Sequence, residues 1–145
     1  MPSIHRSAII DAPVQDVYEY WRNPVNWPEV WPSFVEVTDV VTTRDGLRTT
    51  LRGLYKLVGI PVRGDVVLEC FPDQRIAYSS SGGMDSTIQW TFEPDGDQTL
   101  MTTDVEYTVP VPVLGRVLEP FVVKSLEHET EAVFANLKAR LDRHA

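Results

Sequence analysis

The chain has 145 residues and a mass of 16.4 kDa, and its 43% hydrophobic and 23% charged residues are typical of a globular protein. The formal net charge is −8 and no block of basic residues occurs, so we expect neither nucleic acid nor an anionic membrane surface as a partner. No apolar run approaches the ~18 residues that a membrane span requires, and we expect no integral membrane association.

The length and the cysteine content limit the architecture. A chain of this size is typical of one domain with a buried core, so we predict a single domain over residues 1–145. Residues 1–10 lack a basic start followed by an apolar region, which predicts no secretory signal and a cytoplasmic location. The lone Cys70 cannot form an internal disulfide and is expected to be a small buried hydrophobe.

The first thirty-odd residues predict a strand followed by two short helices. Residues 4–11 alternate weakly, and Pro13 suits the first turn of a helix over residues 13–21. Three prolines between residues 24 and 32 then allow only short helical turns. Trp21, Trp27 and Trp31 lie in this segment, and each ring carries roughly 150–250 Å² of surface that favours burial.

Residues 34–109 predict six antiparallel strands, because β-branched residues dominate and Gly, Pro and Asp turn signals recur throughout. With the first strand the sheet has seven. Alternation predicts an inner face of Leu47, Leu51, Tyr55, Leu57, Ile60, Val62, Val66, Leu68, Met84, Ile88, Trp90, Phe92, Met101, Val105, Tyr107 and Val109. The opposite face is predicted to be polar: Arg48, Arg52, Lys56, Arg63, Asp65, Glu69, Asp85, Gln89, Asp104 and Glu106.

Residues 113–143 predict one long amphipathic helix. Apolar residues recur at steps of three, four and once seven: Leu114, Leu118, Phe121, Val122, Leu126, Val133, Leu137 and Leu141. Pro120 inside this pattern is expected to kink the helix or restart it. A one-sided sheet needs a cover, and this helix is the only predicted element long enough to provide one. Ser125 and Glu129 lie within the apolar stripe, which indicates that the helix lines a cavity.

Several segments of the chain resemble the START-like or SRPBCC superfamily, in its bacterial polyketide cyclase/dehydrase-like branch. The resemblance rests on Ile-Ile-Asp-Ala-Pro-Val-Gln-Asp-Val-Tyr at 9–18, on Asn23-Pro24, on Trp-Pro-Glu-Val-Trp-Pro at 27–32, and on Leu114-Gly115-Arg116 before the final helix. It implies the α+β helix-grip fold, in which a curved seven-stranded antiparallel sheet wraps around a long C-terminal helix, with two short helices after strand 1. It also implies a cavity for an apolar or aromatic small molecule, since members range from lipid carriers to cyclases and aromatases.

Eleven residues are the candidates for ligand contact in this cavity, for which we expect at least ~300 Å³. They are Tyr18, Trp21, Trp31, Tyr55, Met84, Trp90, Met101, Tyr107, Phe121, Ser125 and Glu129. The inner-face aromatic and methionine residues among them are equally explained as ordinary core, and Trp27 and Trp31 as a hydrophobic lid under the short helices. On a helical wheel the Glu129 carboxylate points toward the sheet, where Arg6, His128 or a tyrosine hydroxyl could pair with it. The alternative is that a kink at Pro120 leaves Glu129 at the rim of the cavity, in water.

No pattern in the chain predicts a metal, a cofactor or a catalytic residue. His5, His128 and His144 do not combine with Cys, Asp or Glu at metal-ligand spacing, and no nucleophile elbow, phosphate-binding loop or dinucleotide fingerprint occurs. Two functions remain: a carrier or sensor that binds a hydrophobic small molecule, and a cyclase or aromatase that acts on a ligand in the same cavity. Few titratable groups fall on the inner face, which favours binding. We expect a monomer or a weak homodimer.

Overall fold

The computed structural model describes residues 3–57, 59–108 and 119–143, which form seven strands, three α-helices and one 3₁₀ turn. The N-terminal elements are β1 (Ser3–Ile10), α1 (Val14–Arg22), the 3₁₀ turn (Pro24–Asn26) and α2 (Trp27–Val30). The strands that follow are β2 (Phe34–Thr42), β3 (Arg48–Leu57), β4 (Ile60–Phe71), β5 (Arg75–Ser81), β6 (Ser86–Asp95) and β7 (Gln98–Tyr107), and the last element is α3 (Glu119–Leu141). The predicted order of elements is confirmed.

All seven strands belong to one antiparallel sheet with the order β1-β7-β6-β5-β4-β3-β2. Strands β2 to β7 form a meander, because each connection is a short turn between neighbours. Gly96, with φ of 62°, provides the left-handed conformation in the turn between β6 and β7. Among the described strands the only non-sequential pairing is β1 with β7, for example Ile4 opposite Val105, so the N-terminal strand forms one edge of the sheet.

The inner face of the sheet carries the predicted alternation of buried side chains, and every residue predicted for the outer face is exposed. Leu47 is a correction, since 42% of it is exposed. It precedes β3 in a turn where its N–H bonds the Asp45 carboxylate, and Thr49 is the first buried residue of that strand. Ile60, at the start of β4, is half-buried, and Val109 lies outside the described residues.

Helix α3 packs its apolar side against β1 and α2. Val122 and Leu137 are fully buried and Val133 and Phe134 nearly so, while Leu126 is half-buried. The predicted helical residues 113–118, with Leu118, lie outside the described residues, and Pro120 is the second residue of α3, a position that proline tolerates. None of the described helices combines the length and the hydropathy needed to cross a membrane.

Polar contacts attach the C-terminal part of α3 to the N-terminal part of the chain. The Asn136 side chain donates to the Val30 carbonyl at 2.9 Å, and Arg140 pairs with Glu29 at 3.1 Å. At the C-terminal end of α3, the Asp11 N–H donates to the Asp142 carboxylate at 2.8 Å. These contacts hold α3 against α2 and against the β1–α1 junction, and they thereby set the width of the space between α3 and the sheet.

Candidate functional site

A cavity lies between α3 and the inner face of the sheet. Its volume is about 60 Å³. This volume is smaller than the ~300 Å³ that we expected. The reason is that large aromatic side chains fill most of the space. The lining residues are Ile4, Trp21, Trp31, Ser33, Phe34, Tyr55, Leu57, Tyr78, Met84, Ser86, Ile88, Trp90, Thr103, Val105, Leu126, Glu129, Thr130 and Val133.

Aromatic rings form one wall of the cavity. Trp21 lies edge-on to Trp90, with ring centroids 5.2 Å apart and an interplanar angle of 90°. It stacks on Trp31 at 5.9 Å and 29°, and Trp31 in turn contacts Phe34 at 4.8 Å. Tyr78 extends the wall, since its ring lies 5.5 Å from that of Trp90. Such contacts add to the burial energy of each ring, so the wall is a packed unit.

The proline-rich segment after α1 holds this aromatic wall in place. The Asn23 side chain accepts a hydrogen bond from the Val25 N–H and caps the 3₁₀ turn, in which Pro24 occupies a first-turn position. The chain continues directly into α2, and the Trp27 indole donates to the Trp21 carbonyl at 3.0 Å. Trp27 is fully buried but does not line the cavity; it packs behind Trp21 and Trp31.

Hydroxyl groups form the polar part of the cavity wall. The Ser80 hydroxyl donates to the Met84 carbonyl at 2.8 Å and lies 2.6 Å from the Ser86 hydroxyl, and both serines contact the Tyr78 hydroxyl. The Tyr55 hydroxyl accepts from the Met84 N–H at 2.9 Å. Burial raises the pKa of both Tyr55 and Tyr78, so neither phenol is a base at neutral pH.

A glycine makes room for one of these contacts. A Cβ built on Gly83 would lie 2.4 Å from Val62 and 2.9 Å from the Tyr55 hydroxyl, which is closer than Cβ atoms are found. Only glycine therefore fits beside the hydroxyl that accepts from the neighbouring Met84 N–H.

Glu129 lies at the cavity, where one carboxylate oxygen accepts a hydrogen bond from the Ser33 N–H at 2.5 Å. This half-buried side chain has a backbone N–H of the α2–β2 loop as its partner, and none of the three partners that the sequence analysis considered. Arg6 instead approaches Glu131 at 3.7 Å, and His128 is exposed. Glu129 is the only acidic or basic side chain among the described lining residues.

Six of the eleven predicted ligand-contact residues line the cavity: Trp21, Trp31, Tyr55, Met84, Trp90 and Glu129. The other five lie elsewhere. Phe121 is 58% exposed, and Ser125 is half-buried away from the cavity. Met101 and Tyr107 are fully buried core residues on the inner face. Tyr18 packs edge-on against Phe92, and its hydroxyl contacts Cys70. Residues on the inner face of the sheet therefore do not all line the cavity.

The sequence analysis missed Phe34, Tyr78, Ser86 and Thr103 as lining residues. The sequence held a signal for Tyr78, because it occupies the same alternating positions of β5 as Ile76 and Ser80. All three residues are buried. Phe34 reaches the cavity because Gly53 on β3 leaves room for its ring; a Cβ there would lie 2.7 Å from the ring. Pairing between β2 and β3 has to be known before this contact can be recognised.

No group of three or more His, Cys, Asp or Glu side chains that could hold a metal ion occurs within residues 3–57, 59–108 and 119–143. The remaining chemistry of the site is an apolar, largely aromatic space with hydroxyls and one carboxylate. Such an arrangement can bind and orient a hydrophobic molecule.

Comparison with known proteins identifies the family of this chain. The sequence profile described as polyketide cyclase/dehydrase and lipid transport matches residues 1–142. The crystal structure of TTHA0849 from Thermus thermophilus is 23% identical, with a TM-score of 0.83 and 97% of each chain covered. No curated protein sequence matches the chain.

Two further solved structures share the architecture. The Zhui aromatase/cyclase from Streptomyces sp. R1128 is 14% identical, with a TM-score of 0.80 over 98% of this chain and 94% of that one. A START superfamily protein from Mycobacterium smegmatis is 18% identical, with a TM-score of 0.73 over 99% of both chains. At these identities the structural likeness shows the fold alone, which is the helix-grip α+β fold. The profile match over residues 1–142 shows that the chain belongs to the polyketide cyclase/dehydrase and lipid transport family.

Proposed function

We propose that the protein binds a hydrophobic or aromatic small molecule in the cavity between α3 and the sheet, as a carrier or sensor. The observation that supports this most directly is the composition of the cavity wall. Aromatic and aliphatic side chains dominate it, and its polar side-chain groups are hydroxyls, indole N–H groups and the Glu129 carboxylate. Ligand pockets typically combine a mostly apolar lining with a few convergent polar groups.

The small volume of the cavity implies that side chains move when the ligand enters. Trp31 and Leu126 are half-buried lining residues, one on the α2–β2 loop and one on α3. Rotation of Leu126 toward solvent would enlarge the space beside Trp31 and leave the packed rings of Trp21 and Trp90 in place. We therefore place the ligand entrance between Trp31 and Leu126.

An enzyme of the cyclase or aromatase kind is the second candidate, and Glu129 is the observation that favours it. Its carboxylate lies on the cavity wall, where it could accept a proton from a bound molecule. One oxygen already accepts from the Ser33 N–H, so the other is the one that would act. Binding is the stronger proposal, because the lining tyrosines Tyr55 and Tyr78 have raised pKa values and offer no second base.

The binding proposal is tested by titration with N-phenylnaphthylamine, an uncharged probe whose fluorescence rises in apolar surroundings. We expect saturable binding with a negative heat-capacity change, because apolar surface is buried. Leu126→Trp should weaken binding by filling the entrance, whereas Val41→Trp, at a 63% exposed position on β2, should leave it unchanged. Absence of binding, or equal binding by the two variants, would contradict the proposal.

Carrier and enzyme are separated by native mass spectrometry of the protein purified from its own host. A carrier retains one compound and releases it unchanged on denaturation. An enzyme converts that compound or its precursor, and Glu129→Gln abolishes the conversion while the compound still binds.

A further inference from the structure

The Trp21 indole is buried, lines the cavity and carries a donor without an acceptor. Its Nε1 is the one fully buried side-chain nitrogen or oxygen, among residues 3–57, 59–108 and 119–143, that has no hydrogen-bond partner. The side chain is 0% exposed. Buried polar groups in folded proteins are nearly always hydrogen-bonded, so an exception at a cavity wall calls for a partner that is not part of the chain.

The surroundings of Trp21 explain why the chain itself provides no acceptor. The rings of Trp27, Trp31 and Trp90 all lie within 6 Å of the Trp21 ring, between centroids. These rings offer at most a weak contact between the N–H and a π face. Two hydroxyls can satisfy each other by rotating, as those of Ser80 and Ser86 do. An indole N–H can only donate and has a fixed direction, so it needs an acceptor at one place.

The neighbouring Trp27 shows what a purely structural indole looks like in this fold. It is equally buried, and its N–H donates to the Trp21 carbonyl at 3.0 Å. The two indoles therefore differ in two respects. Trp27 completes a hydrogen bond within the chain and does not line the cavity, whereas Trp21 lines the cavity and has a donor without a partner.

We propose that the Trp21 N–H orients the ligand, and that the ligand is a planar apolar molecule bearing a neutral acceptor oxygen such as a carbonyl. This inference rests on the proposed binding function. A neutral acceptor is favoured over a carboxylate because Glu129 is the only charged group among the described lining residues, and it would repel an anion. The flat surfaces of Trp21, Trp31 and Trp90 suit a planar ring system.

The test compares acetophenone with α-methylstyrene, a molecule of nearly the same shape in which a CH₂ group, still doubly bonded to carbon, replaces the carbonyl oxygen. Dissociation constants are measured for the wild type and for a variant in which Trp21 is replaced by benzothienylalanine, which keeps the ring size but has sulfur in place of N–H. Since a neutral hydrogen bond contributes about 1 kcal/mol, the affinity ratio of acetophenone to α-methylstyrene should fall about fivefold in this variant. The two compounds differ in hydration, but this difference is the same in both proteins and cancels when the affinity ratio of the wild type is compared with that of the variant.

The matched control replaces Trp27 with the same analogue. This variant should lose stability, because it leaves the Trp21 carbonyl without its donor, but should keep the wild-type affinity ratio. The Trp21 variant should be at least as stable as the wild type, because it removes an unpaired donor. NMR spectra of the indole N–H groups test the hydrogen bond directly. The Trp21 N–H signal is the one that the Trp21 variant lacks, and it should move downfield when acetophenone is added and stay in place with α-methylstyrene.

An affinity ratio that is the same in the wild type and the Trp21 variant, or a Trp21 signal that acetophenone leaves in place, overturns the inference while the binding function stands. Failure of both compounds and of N-phenylnaphthylamine to bind the wild type overturns the binding function and the inference together.

Discussion

Glu129 connects α3 to the α2–β2 loop, and its replacement tests both the fold and the function. Its carboxylate accepts the Ser33 N–H at 2.5 Å in a half-buried position. A hydrogen bond to a charged group contributes about 1.5–3 kcal/mol, against about 0.5–1.5 kcal/mol for a neutral one. Glu129→Ala removes the acceptor and should lower the free energy of unfolding by about 1.5–3 kcal/mol. Glu129→Gln retains an oxygen of the same reach and should lower it by about 1 kcal/mol.

Urea unfolding followed by circular dichroism measures these differences. Glu127→Gln is the matched control, because Glu127 is an exposed acidic residue two positions earlier on the same helix. It removes the same charge from the protein and should change stability by no more than about 0.5 kcal/mol. The reasoning is refuted if Glu129→Ala and Glu127→Gln have equal effects, since the Ser33 contact would then contribute nothing.

The same Glu129 variants divide the functional hypotheses. If the carboxylate anchors a donor group of the ligand, Glu129→Gln weakens binding while Glu127→Gln does not. If it moves a proton in an enzyme, turnover is lost and affinity is retained. Unchanged stability, affinity and turnover together would leave the enzyme hypothesis without a catalytic group.

Three further predictions concern buried groups. Leu137→Ala should cost about 2–5 kcal/mol in urea unfolding, because Leu137 is a fully buried residue of α3; a cost below about 1 kcal/mol would contradict the packing. Tyr55→Phe should cost about 1–3 kcal/mol by leaving the buried Met84 N–H without an acceptor, and faster hydrogen exchange at that N–H would identify the cause. Burial raises the pKa of Tyr18, Tyr55 and Tyr78, so these phenols lose their protons at lower pH in the unfolded chain than in the folded one. The free energy of unfolding should therefore fall as pH rises above about 10. Tyrosinate absorbance from these residues at a pH below that of unfolding would refute this.

The order of elements and the two faces of the sheet could be predicted from the sequence. Both depend on local patterns: alternation along each strand, a period of three to four residues along α3, and turn residues between them. Residues such as Arg52 and Gln89 are exposed, and Leu51 and Trp90 are buried, as alternation requires. Leu47 shows the limit of the pattern, since the turn at Asp45 ends the alternation before it reaches that residue.

The cavity could be predicted only in part, because it depends on distances between elements that are far apart in the chain. Met101 and Trp90 share the inner face, yet only Trp90 reaches the space under α3. The partner of Glu129 is a backbone N–H 96 positions away, and no side-chain pattern marks a backbone donor. The unpaired Trp21 N–H is likewise a property of the packed structure, since an indole looks the same in the sequence whether or not an acceptor lies near it. Local periodicity therefore determined which residues face inward, and the way α3, α2 and the sheet pack together decided which of them meet around a cavity.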